Sequence, residues 1–454
     1  MLPEAFLSRM EKMLGDAYPS FLAEISAEKP KKAVRVNTKK ITPEDFMRVA
    51  PFPLSPIPFS ETGFYCDETG IGAYPCHHAG MIYAQDPSAI ATVSAVKVAP
   101  GDRVFDMCAA PGGKTTQIAA MLGENGVIVA NEMNPSRAKA LVGNIERLGV
   151  DNAIVTNCDA RVLCRLFHAV FDLVLLDAPC SGEGMIRKYE AAGEEWSEEN
   201  VRRCALRQAE LLSLAADTVR PGGTLLYSTC TFSIEENEKN IDDFLSAHPE
   251  YALVPVPEAL SLHTAPGISF PGCRTADIGL CRRFYPHISP GEGQFIAVMR
   301  RAEGEDSPLF SYRDASRAPT KQEEKCITDF LRENTEGLPP HVLRMIGERP
   351  VMLPHDFPIP PQNVFTAGVL LGEIRKNLFV PHHHFFMAYG RYMKRKIYLT
   401  DDMPSCAAYL HGEEIAVDTE DGYAAVLYNG VPLGGAKVKG GRAKNHYPKG
   451  LRIK

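Results

Sequence analysis

Three segments of the chain place reactive or ligand-binding residues directly after short apolar runs. The glycine loop CAAPGGKTT, at positions 108–116, follows the run RVFDM. The segment DAPCSG places Asp177 and Cys180 after FDLVLL, and the segment STC places Cys230 after GGTLLY. Short apolar runs of this kind predict buried strands, and ligands of open α/β sheets lie at the carboxyl ends of the strands. We therefore expect both thiols to face the same ligand crevice.

The glycine loop is a candidate for binding either phosphates or a nucleoside. A P-loop follows the pattern GxxxxGK[ST], whose first glycine lets the backbone wrap around phosphates. When Gly113, Lys114 and Thr115 are aligned with the end of that pattern, its first position falls on Cys108. This argues against a P-loop and favours a turn between a strand and a helix, whose backbone closely approaches a nucleoside ligand.

Glu132, at the end of the next apolar run, has the position expected for a carboxylate that binds ribose hydroxyls. It lies twenty residues past Gly112, and about 20 is the spacing typical of dinucleotide-binding βαβ units. This spacing leaves both NAD and S-adenosylmethionine open as ligands. The structural alternative is a glycine turn that only packs a helix against a strand.

Taken together, these segments resemble the Sun/Fmu-type RNA (cytosine-5)-methyltransferase family, in its bacterial small-subunit ribosomal RNA branch. Besides the DAPCSG and STC segments, the resemblance rests on RVNT, on HHAGMIYAQDPSA at 77–89 and on RRFYPHISPGEGQFIAVMR at 282–300. It extends from about position 35 to position 301 and is specific, because separate segments match in the right order. It implies S-adenosylmethionine as the cofactor.

The resemblance also implies which residues bind that cofactor. They are the glycine loop and the carboxylates at the ends of successive strands, namely Cys108, Ala109, Ala110, Pro111, Gly112, Gly113, Lys114, Glu132, Asp159 and Asp177. Cys108 is expected to act through its backbone, and Asp159 on the adenine side of the cofactor. Taken alone, Asp159 would equally be a helix-capping aspartate. No metal site is expected.

Methylation of cytosine at carbon 5 explains why two cysteines would be needed. Carbon 5 is not nucleophilic enough to take a methyl group from a sulfonium donor, but addition of a thiolate to carbon 6 turns the ring into a reactive enamine. The proton on carbon 5 must then leave before the enzyme–base bond can break, and a second thiolate can serve as that base. In the resembling family the STC cysteine attacks and the PC cysteine assists release, which implies these roles for Cys230 and Cys180.

Asp177 and Lys114 complete the implied catalytic set. Asp177 is placed to hydrogen-bond the amidine edge of a flipped cytosine, which would favour protonation of the base as the thiolate adds. The structural alternative is a strand-end or capping carboxylate. A free thiol with a pKa of about 8.5 is only partly ionised at neutral pH, so nearby positive charge helps. Lys114 could contribute this charge, and the matching lysine of the family approaches the target base.

The elements that must position these residues alternate from about position 100 onwards. The predicted strands are DRVFDM, GVIVANE, AIVTNCD, FDLVLLDAP, GGTLLYSTC and GQFIAVMRR, and amphipathic helices separate them. This alternation predicts a mostly parallel sheet. The expected fold class is α/β, a Rossmann-like doubly wound methyltransferase sheet with an N-terminal α+β subdomain and a C-terminal β-rich RNA-binding region.

The patterns and the resemblance divide the chain into five parts. The division is an N-terminal subdomain at 1–75, an S-adenosylmethionine-dependent methyltransferase domain at 76–301, a polar and proline-broken linker at 302–325, an intermediate RNA-binding domain at 326–398, and a pseudouridine-synthase-like β-rich RNA-binding domain at 399–454.

The overall composition of the 454 residues is that of an ordinary globular protein, with 45% hydrophobic and 23% charged residues. No apolar run approaches the roughly 18 residues of a membrane span, and the amino terminus does not look like a secretory signal. We therefore expect a cytoplasmic protein with no membrane association and reduced thiols. Nine of the twelve cysteines are interpreted as buried structural residues: Cys66, Cys76, Cys158, Cys164, Cys204, Cys273, Cys281, Cys326 and Cys406.

The net charge of −7 hides a basic end of the chain. Residues 431–454 contain seven Lys and Arg and no acid, and GGRAKNHYPKGLR at 440–452 resembles the end of a pseudouridine-synthase-like RNA-binding domain. His446 and Tyr447 are candidates for stacking on unpaired bases, and GRYMKRKIYL at 390–399 adds a second basic stretch. The alternative is a solvated edge strand that guards against aggregation. The histidines of PHHHFF, if they lie on a strand, point to alternate faces and cannot share one metal ion.

The function expected from these features is methylation of carbon 5 of cytosine in RNA, most simply small-subunit (16S) ribosomal RNA, through a covalent cysteine adduct at carbon 6. The same chemistry on transfer RNA and a non-catalytic RNA-binding ribosome assembly factor are the alternatives. A monomer is the default expectation for the oligomeric state.

Overall fold

The computed structural model describes residues 2–27, 31–188, 193–194, 196–305, 308–376, 378–401 and 403–453. Lys454, the last base of the basic end, lies outside the described residues. Within the described ranges, none of the helices combines the length and the apolar character that a membrane span requires.

The amino-terminal region combines four helices with a small antiparallel sheet. The helices are α1 (Glu4–Leu14), α2 (Tyr18–Ile25), α3 (Pro43–Val49) and α4 (Pro75–His78), and the strands are β1 (Ala33–Val36), β2 (Ser55–Pro56), β3 (Gly63–Tyr65) and β4 (Ile82–Ala84). The strand order is β2-β3-β1-β4. Phe6 of α1 and Phe21 of α2 pack with Phe232, which follows the STC segment. The first two helices therefore support the region that carries Cys230.

The next region contains the large sheet of the molecule. The strands of this region are β5 (Arg103–Asp106), β6 (Val127–Asn131), β7 (Ala153–Thr156), β8 (Phe167–His168), β9 (Phe171–Asp177), β10 (Val219–Thr229), β11 (Tyr251–Leu253), β12 (Ala265–Pro266), β13 (Arg282–Phe284) and β14 (Gln294–Arg301). All of them except β8 belong to the large sheet, whose tenth strand comes from a later segment of the chain. Its helices are α5 (Pro87–Ser94), α6 (Gly113–Met121), α7 (Pro135–Leu148), α8 (Ala160–Cys164), α9 (Glu198–Ala216), α10 (Glu238–Ala247) and α11 (Glu258–Ser261).

The centre of this ten-stranded sheet is parallel and doubly wound, as predicted. Strands β10, β9, β5, β6 and β7 are neighbours in that order, and all run in the same direction. The chain proceeds from β5 to β6 and β7 on one side, and β9 and β10 lie on the other side. The order therefore reverses between β5 and β9, and the ligand crevice of an open α/β sheet lies at such a point, outside the carboxyl ends of the strands.

Helices cover both faces of the sheet and bury two apolar clusters. Leu212 of α9 and Ile241 of α10 belong to one cluster, and Ile90 of α5, Ile118 of α6 and Leu141 of α7 belong to the other. All five are fully buried, and burying such a side chain contributes about 1.5–3 kcal/mol. The strand ends that carry the candidate site are therefore held by packing on both faces.

The region after position 301 differs from the prediction, because the segment 302–325 contains regular structure. Its strand β15 (Leu309–Phe310) pairs with β8, and helix α12 (Lys321–Asn334) starts before the predicted boundary at 326. Thr320 and Glu323 form a capping box that begins this helix. Most of the described polar residues of this segment are exposed, both before the helix and in its first turn, which explains a composition typical of a linker.

The following strands are short, and one of them extends the large sheet. They are β16 (Val342–Ile346), β17 (Arg349–Leu353), β18 (Val364–Ala367), β19 (Val369–Leu370), β20 (Gly372–Arg375) and β21 (Leu378–Pro381). Strand β18 pairs antiparallel with β7 at the edge of the large sheet. The region predicted as an intermediate domain is therefore joined to that sheet by backbone hydrogen bonds, a long-range pairing that local sequence patterns do not reveal.

Four residues of the run PHHHFF, at 383–386, lie in helix α13 (His383–Tyr389), so the interpretation of the three histidines as strand residues was wrong. The ring of His382 accepts a hydrogen bond from the backbone N–H of His384 and thereby caps the helix. His384 is fully buried, and its Nε2 lies 2.9 Å from the carbonyl oxygen of Val150. In the described part of the chain, no group of three His, Cys, Asp or Glu side chains is arranged to hold a metal ion.

The carboxyl-terminal region is β-rich, as predicted. It contains β22 (Lys396–Leu399), α14 (Pro404–His411), β23 (Ile415–Ala416), β24 (Gly422–Tyr428), β25 (Val431–Lys439) and β26 (Arg442–Asn445), with the strand order β22-β24-β25-β26-β23. Val426 and Leu433 share one apolar cluster with Val34 and Phe46 of the amino-terminal region. The two ends of the chain therefore pack on each other.

Candidate active site

The two predicted reactive thiols are in contact. Strands β9 and β10 pair in parallel with Asp177 opposite Ser228, so their carboxyl ends are level. Cys180 follows the first strand and Cys230 follows the second, and their sulfur atoms lie 3.2 Å apart. The structure thus brings both thiols to the crevice predicted from the strand ends.

The surroundings of Cys180 raise its pKa well above the usual thiol value. The largest contribution is the hydrogen bond with Cys230, followed by burial, and the negative charge of Glu236 acts in the same direction. A thiol that stays protonated can donate its S–H to a neighbouring sulfur. Cys180 can therefore donate its S–H to the Cys230 sulfur.

Asp177 receives three hydrogen bonds on its two carboxylate oxygens. Lys114 Nζ donates to Oδ2 at 2.7 Å, Ser228 Oγ donates to Oδ1 at 2.6 Å, and Gln294 Nε2 donates to Oδ1 at 3.3 Å. A carboxylate offers about four acceptor positions. One position on Oδ2 is therefore left without a donor from the described residues, on a side chain that is 32% exposed.

Lys114 is the cation of this site. It lies in the first turn of α6, is only 12% exposed, and pairs with Asp177. A partly buried ion pair of this kind orients both groups more firmly than an exposed one does, because water screens it less. The predicted lysine and aspartate are therefore held beside each other at the strand ends.

The glycine loop follows β5 and leads directly into α6. Gly112 has a φ of 107°, a conformation that favours glycine, and a Cβ placed there would lie 2.8 Å from Leu141 Cδ1. The backbone N–H of Ala109 donates to the carbonyl of Asn131 at 2.8 Å, which attaches the loop to the end of β6. The loop is thus a close-packed strand-to-helix turn, as predicted.

A cavity of about 650 Å³ opens beside this loop. Three of the predicted cofactor residues line it, namely Cys108, Glu132 and Asp159, whereas residues 109–114 and Asp177 lie outside its lining. Pro179 also lines the cavity and directly precedes Cys180. The cavity therefore runs from the ends of β5, β6 and β7 to Pro179, one residue before Cys180, and its size suits a nucleoside-type ligand.

Glu132 and Asp159 offer carboxylate oxygens to this cavity. Glu132 Oε1 accepts from the backbone N–H of Asn134, and Arg137 NH1 lies 3.3 Å from Oε2. Asp159 caps α8 by accepting from the N–H of Arg161, and its hydrogen bonds with Arg161 lower its pKa. The capping role and the cavity position thus coexist for Asp159, and both acids remain able to accept from ligand hydroxyls.

The structure adds four polar residues to the site that the sequence patterns did not single out. Arg137 bridges Glu132 and the glycine loop, since its NH2 donates to the carbonyl of Ala110 at 2.7 Å. Ser228 and Gln294 donate to Asp177. Asp106, at the end of β5, accepts from Thr115 Oγ1 at 2.6 Å. Burial raises the pKa of Asp106 to about 7.

Sequence signals for these residues were weak. Ser228 is part of the quoted STC segment, and Gln294 lies in the quoted stretch 282–300. Both contacts depend on the neighbouring strands β9, β10 and β14, so the residues looked like ordinary strand positions. Arg137 had no signal beyond its place in the first turn of a predicted helix.

At the basic end of the chain, one of the two predicted stacking residues is not available to RNA. Tyr447 is 2% exposed, and its hydroxyl lies 2.7 Å from His78 Nδ1. Its ring fills the shared core of the chain ends, so the expectation of base stacking by Tyr447 was wrong. His446 is half-buried, and its ring centroid lies 5.6 Å from the ring centroid of Tyr423 in an edge-to-face arrangement. The exposed bases of this end are Lys437, Lys439, Arg442, Lys444 and Lys449.

Comparison with family models places known methyltransferase regions along the chain. Residues 93–300 match the model described as 16S rRNA methyltransferase RsmB/F. Residues 2–87 match the N-terminal domain of 16S rRNA methyltransferase RsmF, and residues 388–453 match the methyltransferase RsmF PUA domain.

Whole proteins show the same similarity. The chain is 36% identical to the ribosomal RNA small subunit methyltransferase F of Klebsiella pneumoniae, over 99% of this chain and 96% of the relative. The corresponding protein of Vibrio vulnificus is 33% identical, over 99% and 97% of the two chains.

Two solved structures share the fold of the central region. A methyltransferase homologue from Pyrococcus horikoshii is 30% identical with a TM-score of 0.59, over 66% of this chain and 95% of its own. NSun6 from the same organism, solved with the S-adenosylmethionine analogue SFG, is 22% identical with a TM-score of 0.56, over 66% and 99% of the two chains.

Proposed function

Because the chain belongs to the RsmB/F family of 16S rRNA methyltransferases, we propose that it methylates carbon 5 of cytosine in small-subunit ribosomal RNA. S-adenosylmethionine is the cofactor, and it supplies the methyl group. The observation that carries the cytosine chemistry is the contact between the Cys180 and Cys230 sulfurs beside the cavity. A single nucleophile would not need a second thiol at that distance.

The two thiols divide the work in the proposed reaction. The Cys230 sulfur forms a bond to carbon 6 of the cytosine, and the electron pair released to carbon 5 makes this carbon nucleophilic. After methyl transfer, Cys180 gives its proton to water, and the resulting thiolate takes the proton from carbon 5. The electron pair of that C–H bond restores the double bond between carbons 5 and 6 as the bond between carbon 6 and Cys230 breaks. The raised pKa of Cys180 makes this thiolate a strong base for the proton.

Asp177 and Lys114 bind and polarise the base in this proposal. The remaining acceptor position on Asp177 Oδ2 faces the exposed side of the carboxylate and can take an N–H from the amidine edge of cytosine. Lys114 holds Oδ2 in place and keeps positive charge beside this carboxylate. Favouring the protonated base makes carbon 6 more electrophilic when the thiolate adds.

The cavity residues hold the cofactor in this proposal. Glu132 and Asp159 accept hydrogen bonds from ligand hydroxyl or amino groups, and Cys108, the first residue of the glycine loop, lines one side of the site. The chemistry of this donor set fits the cofactor, because two carboxylates and a close-packed glycine turn meet at a cavity of nucleoside size. Lys114 and Asp177 then lie where this ligand and the target base would meet.

The remaining parts of the chain are proposed to bind RNA. The PUA-like region at the carboxyl terminus has exposed Lys and Arg side chains on β25 and β26 that can contact phosphates. We keep the domain boundaries 1–75, 76–301, 302–325, 326–398 and 399–454 as a functional division, although the third of these parts is structured. A ribosomal RNA substrate implies a cytoplasmic location, and a site built entirely from one chain suits a monomer.

A methylation assay with thiol variants tests the proposal. The purified protein is incubated with labelled S-adenosylmethionine and either naked 16S rRNA or small subunits from cells that lack the gene, and the RNA is digested to nucleosides. We expect labelled 5-methylcytidine with the native protein. Cys230→Ala should abolish the label but keep cofactor binding. Cys180→Ala should accumulate a protein–RNA adduct that survives a denaturing gel.

Cys204→Ala is the matched control, because Cys204 is a buried thiol on α9 outside the pair. This variant should produce as much labelled 5-methylcytidine as the native protein and should accumulate no adduct. An adduct that requires Cys180 and survives loss of Cys230 would reverse the two roles. Label found in transfer RNA alone would change the substrate, and cofactor binding without product on any RNA would favour a non-catalytic assembly factor.

A further inference from the structure

A buried carboxyl group, that of Glu236, reaches both loops that carry the thiols. The backbone N–H of Ser181 donates to Glu236 Oε2 at 3.0 Å, and Ser181 Oγ donates to Oε1. Thr231 Oγ1 lies 3.3 Å from Oε1 and 2.7 Å from Glu183 Oε2, so its one proton is shared between the two carboxyl groups. Ser181 directly follows Cys180, and Thr231 directly follows Cys230. One carboxyl group therefore bonds the neighbour of each thiol.

Hydrogen bonds alone stabilise this group in the described part of the molecule. Glu236 is 0% exposed, and no lysine or arginine among the described residues forms an ion pair with it. The fourth donor is Gln208 Nε2, at 2.8 Å from Oε2. Burying a carboxylate without a cation is costly, and burial raises the pKa of Glu236 to about 7. Three of its four hydrogen bonds are made to Ser181 and Thr231.

We propose that Glu236 is a positioning residue that sets the separation between Cys180 and Cys230. The two sulfurs lie 3.2 Å apart because each loop is attached through its next residue to the same carboxyl group. Without this group, Ser181 and Thr231 lose their shared acceptor, and the loops keep only weaker ties, such as the 2.9 Å contact between the two hydroxyls and the 2.9 Å bond from the Gly184 N–H to the Cys230 carbonyl. The consequence for turnover rests on the proposed function, since attack and proton removal must reach the same base.

Glutamine at this position preserves the bonding and removes the charge. Its carbonyl oxygen can replace Oε2 and accept from the Ser181 N–H and from Gln208. Its amide N–H groups then face the hydroxyls of Ser181 and Thr231, which can both accept hydrogen bonds. Glu236→Gln is therefore the conservative variant, whereas Glu236→Ala removes the bridge.

Two readouts test the separation of the thiols. The first is the yield of the Cys180–Cys230 disulfide after brief treatment with diamide, measured by peptide mass mapping, and it needs no RNA. The second is the steady-state methylation of 16S rRNA, with kcat and KM determined separately and cofactor affinity measured by calorimetry. Glu235→Ala is the matched control, because Glu235 is the adjacent acid, is only partly buried, and pairs with Arg9.

We expect Glu236→Ala to lower the disulfide yield at least fivefold and kcat at least tenfold, with KM for RNA and cofactor affinity within twofold of the native values. Glu236→Gln should keep both readouts within threefold, and Glu235→Ala should leave them unchanged. Native disulfide yield in Glu236→Ala would overturn the proposal. Equal losses of disulfide yield and kcat in Glu236→Gln and Glu236→Ala would also overturn it. The charge of Glu236, and not its hydrogen bonds, would then set the separation of the thiols.

The proposed function and this inference can fail separately. If the native protein methylates no RNA but Glu236→Ala still lowers the disulfide yield, the positioning role stands and the proposed function falls. If Glu236→Ala does not fold, as judged by circular dichroism, the double variant Ser181→Ala/Thr231→Val removes the two hydroxyls that reach the carboxyl group. A lowered disulfide yield in that variant supports the role, and a native yield refutes it.

Discussion

Replacing Asp177 with asparagine should slow methylation by weakening the contact with the target base. Oδ1 of Asp177 already accepts from Ser228 and Gln294, so the asparagine carbonyl oxygen is expected to take this position. The amide nitrogen then replaces Oδ2 and faces Lys114 Nζ, 2.7 Å away in the native protein. The acceptor position proposed for the base becomes a donor, and the ion pair with Lys114 is lost.

The size of this effect follows from one charge-assisted hydrogen bond. Such a bond contributes about 1.5–3 kcal/mol, and about 1.4 kcal/mol corresponds to a tenfold change in rate. We therefore expect kcat/KM for RNA to fall roughly 10- to 150-fold in Asp177→Asn. Ser228 and Gln294 keep their acceptor, so the local backbone should be unchanged.

The assay is steady-state methylation of 16S rRNA, together with calorimetric titration of S-adenosylmethionine. Asp172→Asn is the matched control, because Asp172 lies on the same strand at its opposite end and accepts from the backbone N–H of Arg103. It should leave kcat/KM within twofold of the native value. A melting temperature measured for each variant separates loss of activity from loss of folding.

Two results would refute the reasoning. If Asp177→Asn keeps kcat/KM within threefold of the native protein, the open acceptor position does not contact the base in the transition state. If cofactor affinity falls by the same factor as kcat/KM, Asp177 acts through the cofactor and not through the cytosine.

Three further predictions concern stability. Glu238→Gln should destabilise the fold by about 3–5 kcal/mol, because it leaves Arg283 buried without its partner, and urea denaturation measures the loss. Gly112→Ala should cost about 1–3 kcal/mol through its positive φ and its contact with Leu141, and should weaken cofactor binding in calorimetry. Burial lowers the pKa of His77 and His383 to about 3, below the unfolded value of about 6.5. The unfolded chain therefore binds more protons in this range. As the pH is lowered from about 6.5 to about 3, the free energy of unfolding should fall by up to about 1.4 kcal/mol per pH unit for each histidine.

Each of these predictions has a control within the chain. Glu303→Gln breaks an exposed pair with Arg300 and should change stability by less than about 1 kcal/mol; an equal effect in Glu238→Gln would contradict the first prediction. Gly101 has a similar φ of 93°, but a Cβ added there would have no atom within 4 Å. A larger loss of stability in Gly101→Ala than in Gly112→Ala would therefore contradict the second prediction. His383→Gln cannot gain the proton, and an unchanged pH slope in this variant would contradict the third.

The sequence alone was sufficient to predict the parallel sheet and the residues at its strand ends. Apolar runs and amphipathic helices are local patterns, and the carboxyl ends of parallel strands meet at one edge. Asp177, Cys180 and Cys230 could therefore be placed at one crevice from their distance along the chain to a strand end. The glycine loop was also local, because the positive φ of Gly112 depends on a turn between adjacent elements.

Tertiary structure alone decided the contacts between elements that are distant in the sequence. Three features depend on how neighbouring strands and loops pack. They are the contact between the two sulfurs, the hydrogen bonds that Ser228 and Gln294 donate to Asp177, and the bridge made by Glu236. Burial of Tyr447 depends in the same way on the packing of the two chain ends. Periodicity and composition report the conformation of a segment and which of its faces is apolar, but the partner that covers this face is selected by packing across the whole chain.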